Sequence, residues 1–158
     1  MSPVDLPGMR GSDAQINALR LPRVNADGEF MIHPLEFIET ETVILSPHEG
    51  GRGTPLSSAA YNGKYRPHIV MQSRQVRQAQ IETRDGMRHI TDEYLGVAFW
   101  KGPNVIPVSA PFTLIMLLMY APDPAYDRLV PGAEFTIREG PKIIGHGKVL
   151  RRTTEENI

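Results

Sequence analysis

Apolar and β-branched residues between positions 36 and 152 come in short runs, and turn-forming residues separate the runs. Strand-like runs that recur about every 8–12 residues are typical of an antiparallel barrel or sandwich. The longest apolar run, 112–121, follows Pro111 and predicts the most deeply buried strand. The pattern therefore predicts an all-β fold. The predicted strands cover 37–45, 65–76, 80–83, 87–91, 95–100, 112–120, 133–138 and 142–150.

Turn-forming residues connect the predicted strands, and a helix-like spacing of residues precedes them. Asp85-Gly86 between two short strands indicates a tight β-hairpin, because both residues tolerate positive φ. Before the strands, Ser12 and Gln15 have capping-box spacing, which predicts a short helix over 13–20. We therefore divide the chain into an N-terminal arm, a β-barrel domain and a C-terminal tail. Their ranges are 1–34, 35–152 and 153–158.

Composition agrees with one folded domain and excludes several classes of protein. Of 158 residues, 41% are hydrophobic and 22% are charged, which excludes a disordered chain or a coiled-coil rod. The chain has no cysteine, so disulfides and thiolate metal sites are excluded. The longest apolar run is shorter than the roughly 20 residues that a membrane span needs. With no signal-peptide pattern at the start, we expect a cytoplasmic protein.

Charge is nearly balanced overall, at −1, but it is segregated along the chain. Residues 26–46 carry five acids and no base, whereas residues 64–88 and 138–152 each carry an excess of four positive charges. Most of the bases are arginine, whose planar guanidinium suits phosphate and carboxylate. Two interpretations stay open at this point. In the first, the charged residues lie on solvated strand faces. In the second, the arginines form a phosphate-binding patch.

Four motifs follow one another in a fixed order. They are Glu49-Gly-Gly-Arg-Gly-Thr-Pro55, Tyr65-Arg-Pro67, Phe135-Thr-Ile-Arg-Glu-Gly140 and Ile144-Gly-His-Gly-Lys-Val149. In order and spacing they resemble the C-terminal domain, domain III, of bacterial elongation factor Tu. The resemblance implies a closed, six-stranded antiparallel barrel of Greek-key type with a short N-terminal extension. The stretch 73–123 departs from the family's pattern, so we expect extra strands or a loop there.

The resemblance also implies candidate binding residues, because this domain holds the T-stem backbone of aminoacyl-tRNA in the family. Two of the contact positions depart from the family: Gly53 replaces a histidine, and His68 replaces a glutamine. Arginines near the motifs add further candidates for phosphate contact. The candidate RNA- or partner-binding residues are Arg52, Arg66, His68, Arg74, Arg138 and Glu139.

If phosphate is the partner, the arginines of this set should share one face or rim. Arg77 would belong to it too, although its spacing from Arg74 places the two on opposite sides of an extended strand. A bulge or turn between them would be needed to align both side chains.

Sequence features argue against catalysis. A phosphate-binding loop, Gly-x4-Gly-Lys-Ser/Thr, is absent, so we expect no GTP binding, no GTPase activity and no nucleotide cofactor. The five histidines lack metal-ligand spacing. We predict a non-catalytic binding module that is related to domain III and binds a translation-related protein, or a tRNA or ribonucleoprotein, rather than a membrane. The alternatives are a protein-interaction decoy or regulatory module with no RNA role and, less favoured, a small enzyme.

Overall fold

The structure, a computed structural model, describes residues 23–24, 30–31 and 34–158. Ten strands form in these residues, and short 3₁₀ turns are the only helical elements among them. The helix predicted over 13–20 lies outside the described residues. The strands are β1 (Arg23–Val24), β2 (Phe30–Met31), β3 (Glu36–Ile44), β4 (His68–Met71), β5 (Ile81–Arg84), β6 (Met87–Ile90), β7 (Leu95–Lys101), β8 (Phe112–Leu118), β9 (Glu134–Glu139) and β10 (Lys142–Thr154).

Six of these strands close into an antiparallel barrel in the order β10-β3-β8-β7-β4-β9, with β10 pairing back to β9. The consecutive strands β4, β7 and β8 lie side by side, and β3 lies beside β8 although a long connection separates β3 from β4. This is a Greek-key arrangement. The predicted all-β, six-stranded antiparallel barrel is confirmed.

Alternating side chains of the strands fill the barrel. Phe99, Leu114, Met116, Phe135 and Ile137 are fully buried in one apolar core. Each such side chain contributes about 1.5–3 kcal/mol when it leaves water. The interior of the barrel is therefore held by apolar burial, as the alternation in the sequence predicts.

Two glycines let β10 lie close to its neighbours. A Cβ atom at Gly145 would lie 2.7 Å from the carbonyl oxygen of Val43 on β3, which is closer than real contacts allow. At Gly147 it would lie 2.8 Å from the carbonyl oxygen of Glu41 and 2.5 Å from the ring of Phe135. The Gly-x-Gly pair of the fourth motif thus has a packing role, which is what alternating strand glycines predict.

The hairpin insertion, residues 72–94, leaves the barrel after β4 and returns at β7. Its strands β5 and β6 pair with each other around Asp85 and Gly86, whose φ angles are 52° and 77°. The hairpin predicted at Asp85-Gly86 is therefore confirmed, and all four residues of β5 are exposed.

The predicted C-terminal ends of β4 and β10 differ most from the structure. β4 ends at Met71 rather than at 76, because the amide of Arg74 donates to the Glu134 side chain at 3.1 Å and draws the chain across the outside of the barrel. β10 continues to Thr154, into the segment assigned to the tail, since it stays paired with β3 as far as Glu36.

Candidate functional site

Three of the motifs meet in a group that we call the Arg52 cluster, formed by Arg52, Tyr65 and Glu139. The Arg52 guanidinium contacts the Glu139 carboxylate and lies 5.3 Å from the centre of the Tyr65 ring. The Tyr65 hydroxyl donates to the same carboxylate at 2.5 Å. Glu139 ends β9 and Tyr65 lies just before β4, so the cluster sits at one end of the barrel.

The loop before Arg52 needs glycine to place this side chain. Gly50 adopts a φ of 90°, which L-residues rarely adopt. A Cβ atom at Gly51 would overlap the backbone of Leu45, while the Gly51 amide donates to the carbonyl of Ser46 at 2.9 Å. The tight turn is held further by Arg52 itself, whose Nε donates to the carbonyl of Thr54 at 3.1 Å.

Burial and a hydrogen bond keep the Tyr65 hydroxyl of the Arg52 cluster protonated. Burial raises the pKa of the Tyr65 hydroxyl, and its hydrogen bond to Glu139 raises it further. The phenol therefore stays protonated and remains a donor. Arg52 and Glu139 keep 25% and 32% of their side chains exposed, so a partner can reach a charged pair that is only partly solvated.

Arg138 lies in a different environment, which we call the Arg138 hub. Its side chain is fully buried and forms an ion pair with Asp92 at 3.0 Å, and that carboxylate is itself almost fully buried. Its guanidinium also donates to Gln72 at 2.7 Å, Thr136 at 3.1 Å and Tyr94 at 3.1 Å. Every side of this guanidinium meets protein, so Arg138 offers no surface for the face or rim that it was expected to share with Arg52 if phosphate is the partner.

The reason for this burial lies in the hairpin insertion rather than in β9. Phe135 and Ile137 point into the barrel, so Arg138 points to the outside, as strand alternation requires. Gln72 and Asp92, from the two ends of the insertion, then cover it. A residue on the outer wall of the barrel is thus buried by an insertion that departs from the family's pattern.

His68 lies opposite Arg138 in the β4–β9 pairing and is exposed. Its ring is 5.6 Å from that of Tyr94, measured between centroids. The Arg66 Nε donates to the carbonyl of Gly63 at 2.7 Å. The structure therefore leaves the His68 ring accessible beside the hub.

Arg74 and Arg77 follow β4 on the outside of the barrel. Arg74 reaches Glu134 on β9 at 3.3 Å and Glu41 on β3 at 3.5 Å, so it bridges the strands on either side of β10. Arg77 instead donates to the carbonyls of Arg74 and Val76. The two ion pairs of Arg74 hold the start of the insertion against the barrel wall, and we call this contact the clamp.

The segregated charges of the sequence meet across the barrel wall. Acidic β3 pairs with basic β10, and Arg152 contacts Glu36 at 2.7 Å while Arg151 contacts Glu39. These pairs on the partly exposed outer faces of β3 and β10 agree with the interpretation of solvated strand faces. The interpretation of a phosphate-binding patch stays a prediction.

Two contacts of the candidate residues were not predicted from the sequence. Tyr65 begins the Tyr-Arg-Pro motif, and its position in an ordered motif is a signal that could have placed it with Arg52. Asp92 carries no such signal, because it lies in the divergent stretch and only the fold brings it to Arg138. The motifs could therefore have indicated Tyr65 but not Asp92.

The described residues contain no group of three or more histidine, aspartate or glutamate side chains placed to hold a metal ion. No helix in the described part of the chain is long and apolar enough to cross a membrane.

The chain matches no protein-family model and no curated protein. The relationship to elongation factor Tu therefore stays a prediction that depends on the four motifs. Two structural features agree with that prediction: the closed barrel, and the contact among three of the motifs in the Arg52 cluster.

Proposed function

We propose that the chain is a non-catalytic binding module, related to domain III of elongation factor Tu, that binds a translation-related protein, or a tRNA or ribonucleoprotein. The Arg52 cluster is the observation that carries this proposal. It joins residues of three ordered motifs at one barrel end and presents a guanidinium, a phenol and a carboxylate together. Arginine and tyrosine, with tryptophan, are the residue types enriched among the hot spots of binding interfaces.

A partner that covers this cluster would strengthen its contacts. Removing the remaining water from the Arg52–Glu139 pair lowers the local dielectric, so charged groups of the partner interact more strongly there. The guanidinium keeps donors for an incoming carboxylate or phosphate, because Arg has five N–H groups. Glu139 would at the same time disfavour a partner that places its own negative charge beside it.

A second candidate, a protein-binding module with no RNA role, is favoured by the pairing of the other arginines. Carboxylates already contact Arg74, Arg138 and Arg152. Phosphate would have to displace these carboxylates, and the one that pairs with Arg138, from Asp92, is almost fully buried. Non-specific RNA binding depends on accessible cations, so this pairing weakens the RNA candidate.

The test is a salt titration of the protein with tRNA, using Arg52→Ala and a matched control, Arg128→Ala. Arg128 also forms a single ion pair, with Glu93 at 2.9 Å, but its side chain is more exposed, 61% against 25%, and it lies outside the Arg52 cluster. We expect Arg52→Ala to weaken binding and to reduce the slope of log K against log salt by about one, and the control to change neither. A wild-type protein without tRNA affinity at low salt would exclude the RNA candidate.

The protein candidate is tested by capture from cell extract with and without RNase. A protein partner that survives RNase and is lost with Arg52→Ala, but not with Arg128→Ala, supports it. Equal capture by all three proteins would contradict a role for the Arg52 cluster. Calorimetry with GTP should show no binding, since the sequence has no phosphate-binding loop.

A further inference from the structure

A cleft separates the β5–β6 hairpin from the end of the barrel that carries the Arg52 cluster. Its volume is about 410 Å³, and it is open to solvent between the hairpin, the turn after β3 and the β9–β10 turn. This volume falls within the range of about 300–1,000 Å³ that is typical of small-molecule sites. The residues that matter below are Glu49, Arg77, Ile81, Arg88, Lys142 and Ile143. We call this space the hairpin cleft.

The cations of the hairpin cleft differ from the arginines described above. Within the described part of the chain, Arg88 and Lys142 have no ion-pair partner closer than 4.0 Å. Arg77 is held by backbone carbonyls rather than by a carboxylate. Three positive side chains therefore line one cleft without being neutralised in pairs.

Glu49 is the one acid that lines the hairpin cleft, and its carboxylate is already engaged. One of its oxygens accepts from the hydroxyl of Ser109 and, at 3.0 Å, from the amide of Ser46. These two hydrogen bonds lower the pKa of Glu49, so it stays ionised near neutral pH. Three cations and one carboxylate leave the cleft with a net charge of about +2.

The other side of the hairpin cleft is apolar. Leu45 and Ile143 are almost fully buried in its floor, and Ile81 of the hairpin, 44% exposed, faces the same space. A ligand that enters would thus meet cations and an aliphatic surface together. An inorganic ion would use only the first of these features.

We infer that the hairpin cleft binds a small phosphate monoester whose organic part is apolar. A phosphate monoester is a dianion above its second pKa of about 6, which matches the net charge of the cleft. Arg77 and Arg88 supply planar donors that fit phosphate oxygens, and Lys142 adds a point charge. The aliphatic floor then covers the organic part, whose burial adds to the affinity.

This inference does not depend on the proposed function. The residues of the hairpin cleft are separate from the Arg52 cluster, although both lie at the same end of the barrel. Failure of macromolecular binding would leave ligand binding to the cleft untouched, and the reverse also holds.

The test is a titration with phenyl phosphate at about pH 7.5, where the ester is a dianion, followed by amide chemical shifts. Arg88→Gln and Lys142→Gln are the test variants, and Arg84→Gln is the matched control. Arg88 lies opposite Thr83 and thus on the face of the hairpin that carries Ile81. Arg84 lies on the other face, is exposed and pairs with Glu82 at 3.0 Å.

We expect shifts confined to residues 45–50, 77–81, 88 and 141–143. Each test variant should weaken phenyl phosphate about tenfold, the loss of one charge-assisted contact, and the control should stay within about twofold of wild type. Inorganic phosphate should bind more weakly than phenyl phosphate, and phenol should not bind. All three substituted side chains are exposed, so thermal unfolding should show that each variant is folded.

Four results would overturn the inference. These are no shift in the cleft with phenyl phosphate, an equal loss with Arg84→Gln, inorganic phosphate binding as tightly as the ester, and benzoate binding more tightly than phenyl phosphate. The first two reject the site. The third rejects the apolar contact, and the fourth rejects phosphate as the preferred anion.

Discussion

The barrel and its hairpin insertion are held by different kinds of interaction. Inside the barrel, fully buried apolar side chains such as Leu114 and Phe135 contact one another from several strands. The strand β5 of the insertion has no buried residue, and the insertion is attached through polar contacts at its base. The barrel is stabilised by many apolar contacts, and the hairpin insertion is attached by a few specific polar contacts.

Asp92 is the centre of this attachment. Its carboxylate contacts Arg138 on β9 at 3.0 Å. It also accepts a hydrogen bond at 3.0 Å from the amide of Gln80, which lies just before β5 at the base of the hairpin. Tyr94 extends the contact, since its hydroxyl donates to the carbonyl of Gly140 at 2.7 Å. A single buried carboxylate thus fixes both ends of the hairpin to the barrel wall. The comparison implies that one polar substitution here matters as much as a large cavity in the core.

The first prediction, with the largest expected effect, is Asp92→Ala. It leaves the fully buried Arg138 guanidinium without its counter-charge, and breaking a buried pair in this way costs about 3–5 kcal/mol of unfolding free energy. Urea unfolding measures the loss. The control is Glu93→Ala, the neighbouring acid, whose exposed pair with Arg128 is worth at most about 1 kcal/mol. Equal losses in the two variants would contradict the role of the Arg138 hub.

The second prediction tests the barrel with Leu114→Ala. This side chain is fully buried in the main core, so the variant should lose about 2–5 kcal/mol through lost burial and a residual cavity. Val105→Ala, at a position 81% exposed, should change the free energy of unfolding by less than about 0.5 kcal/mol. A Leu114→Ala loss no larger than that of Val105→Ala would show that Leu114 does not belong to the core.

The same comparison explains what the sequence could predict. Strand alternation and turn residues are local signals, so they predicted an all-β fold and the Asp85-Gly86 hairpin. The alternating glycines Gly145 and Gly147 are a local signal of the same kind. These features depend on residues near one another in the chain. The closed, six-stranded barrel was instead implied by the resemblance of the four motifs.

The burial of Arg138 could not be predicted in this way. Its position on the outer face of β9 follows from alternation, but the partner that covers it, Asp92, is 46 residues away in the sequence. The Arg52–Glu139 contact spans 87 residues, and the sequence indicated both residues as candidates because both belong to ordered motifs. A long-range contact could not be predicted where one of its two residues lies outside the motifs.

The third prediction is Gly147→Ala, which tests how closely the barrel strands approach. The added methyl would meet the backbone oxygen of Glu41 and the ring of Phe135, and overpacking of this kind costs about 1–3 kcal/mol. At Gly53 a Cβ atom meets nothing within 4 Å, so Gly53→Ala serves as the control and should be nearly neutral. Thermal unfolding of both variants gives the comparison. Loss of stability in Gly53→Ala alone would contradict it.

The fourth prediction is Arg74→Ala, which releases the clamp on the insertion. Arg74 and its partners Glu41 and Glu134 are about a third to a half exposed, so solvent screens the pairs and the loss should not exceed about 1 kcal/mol. The clearer readout is amide hydrogen exchange, which should become faster in residues 72–79 while β3 and β10 stay protected. Arg84→Ala, which removes an exposed pair within the hairpin, should leave that exchange unchanged. Faster exchange throughout the barrel would mean that Arg74 stabilises the whole fold.

The last prediction concerns His146 on β10, beneath this clamp. Burial lowers the pKa of its imidazole from the usual 6.5, and the nearby charges of Arg77 and Arg74 lower this pKa further. The charges of Glu49 and Glu134 act in the other direction and raise it, but by less. Its Nδ1 is buried and has no hydrogen-bond partner among the described residues. The folded chain therefore holds this site neutral at pH values where the unfolded chain binds a proton.

The sign of the effect follows from proton linkage. The contribution of His146 to stability is complete above pH 6.5 and is lost as the pH falls through the lowered pKa of the folded state. His146→Gln removes this titration, so the difference in unfolding free energy between wild type and variant should be constant above pH 6.5 and should move against the wild type below it. Urea unfolding at a series of pH values measures that difference. The acids Glu49 and Glu134, whose pKa values are also lowered, lose their contributions at lower pH and are present in both proteins. A difference that moves in favour of the wild type on acidification would show that protonated His146 is stabilised by Glu49 and Glu134 and that burial does not control its titration.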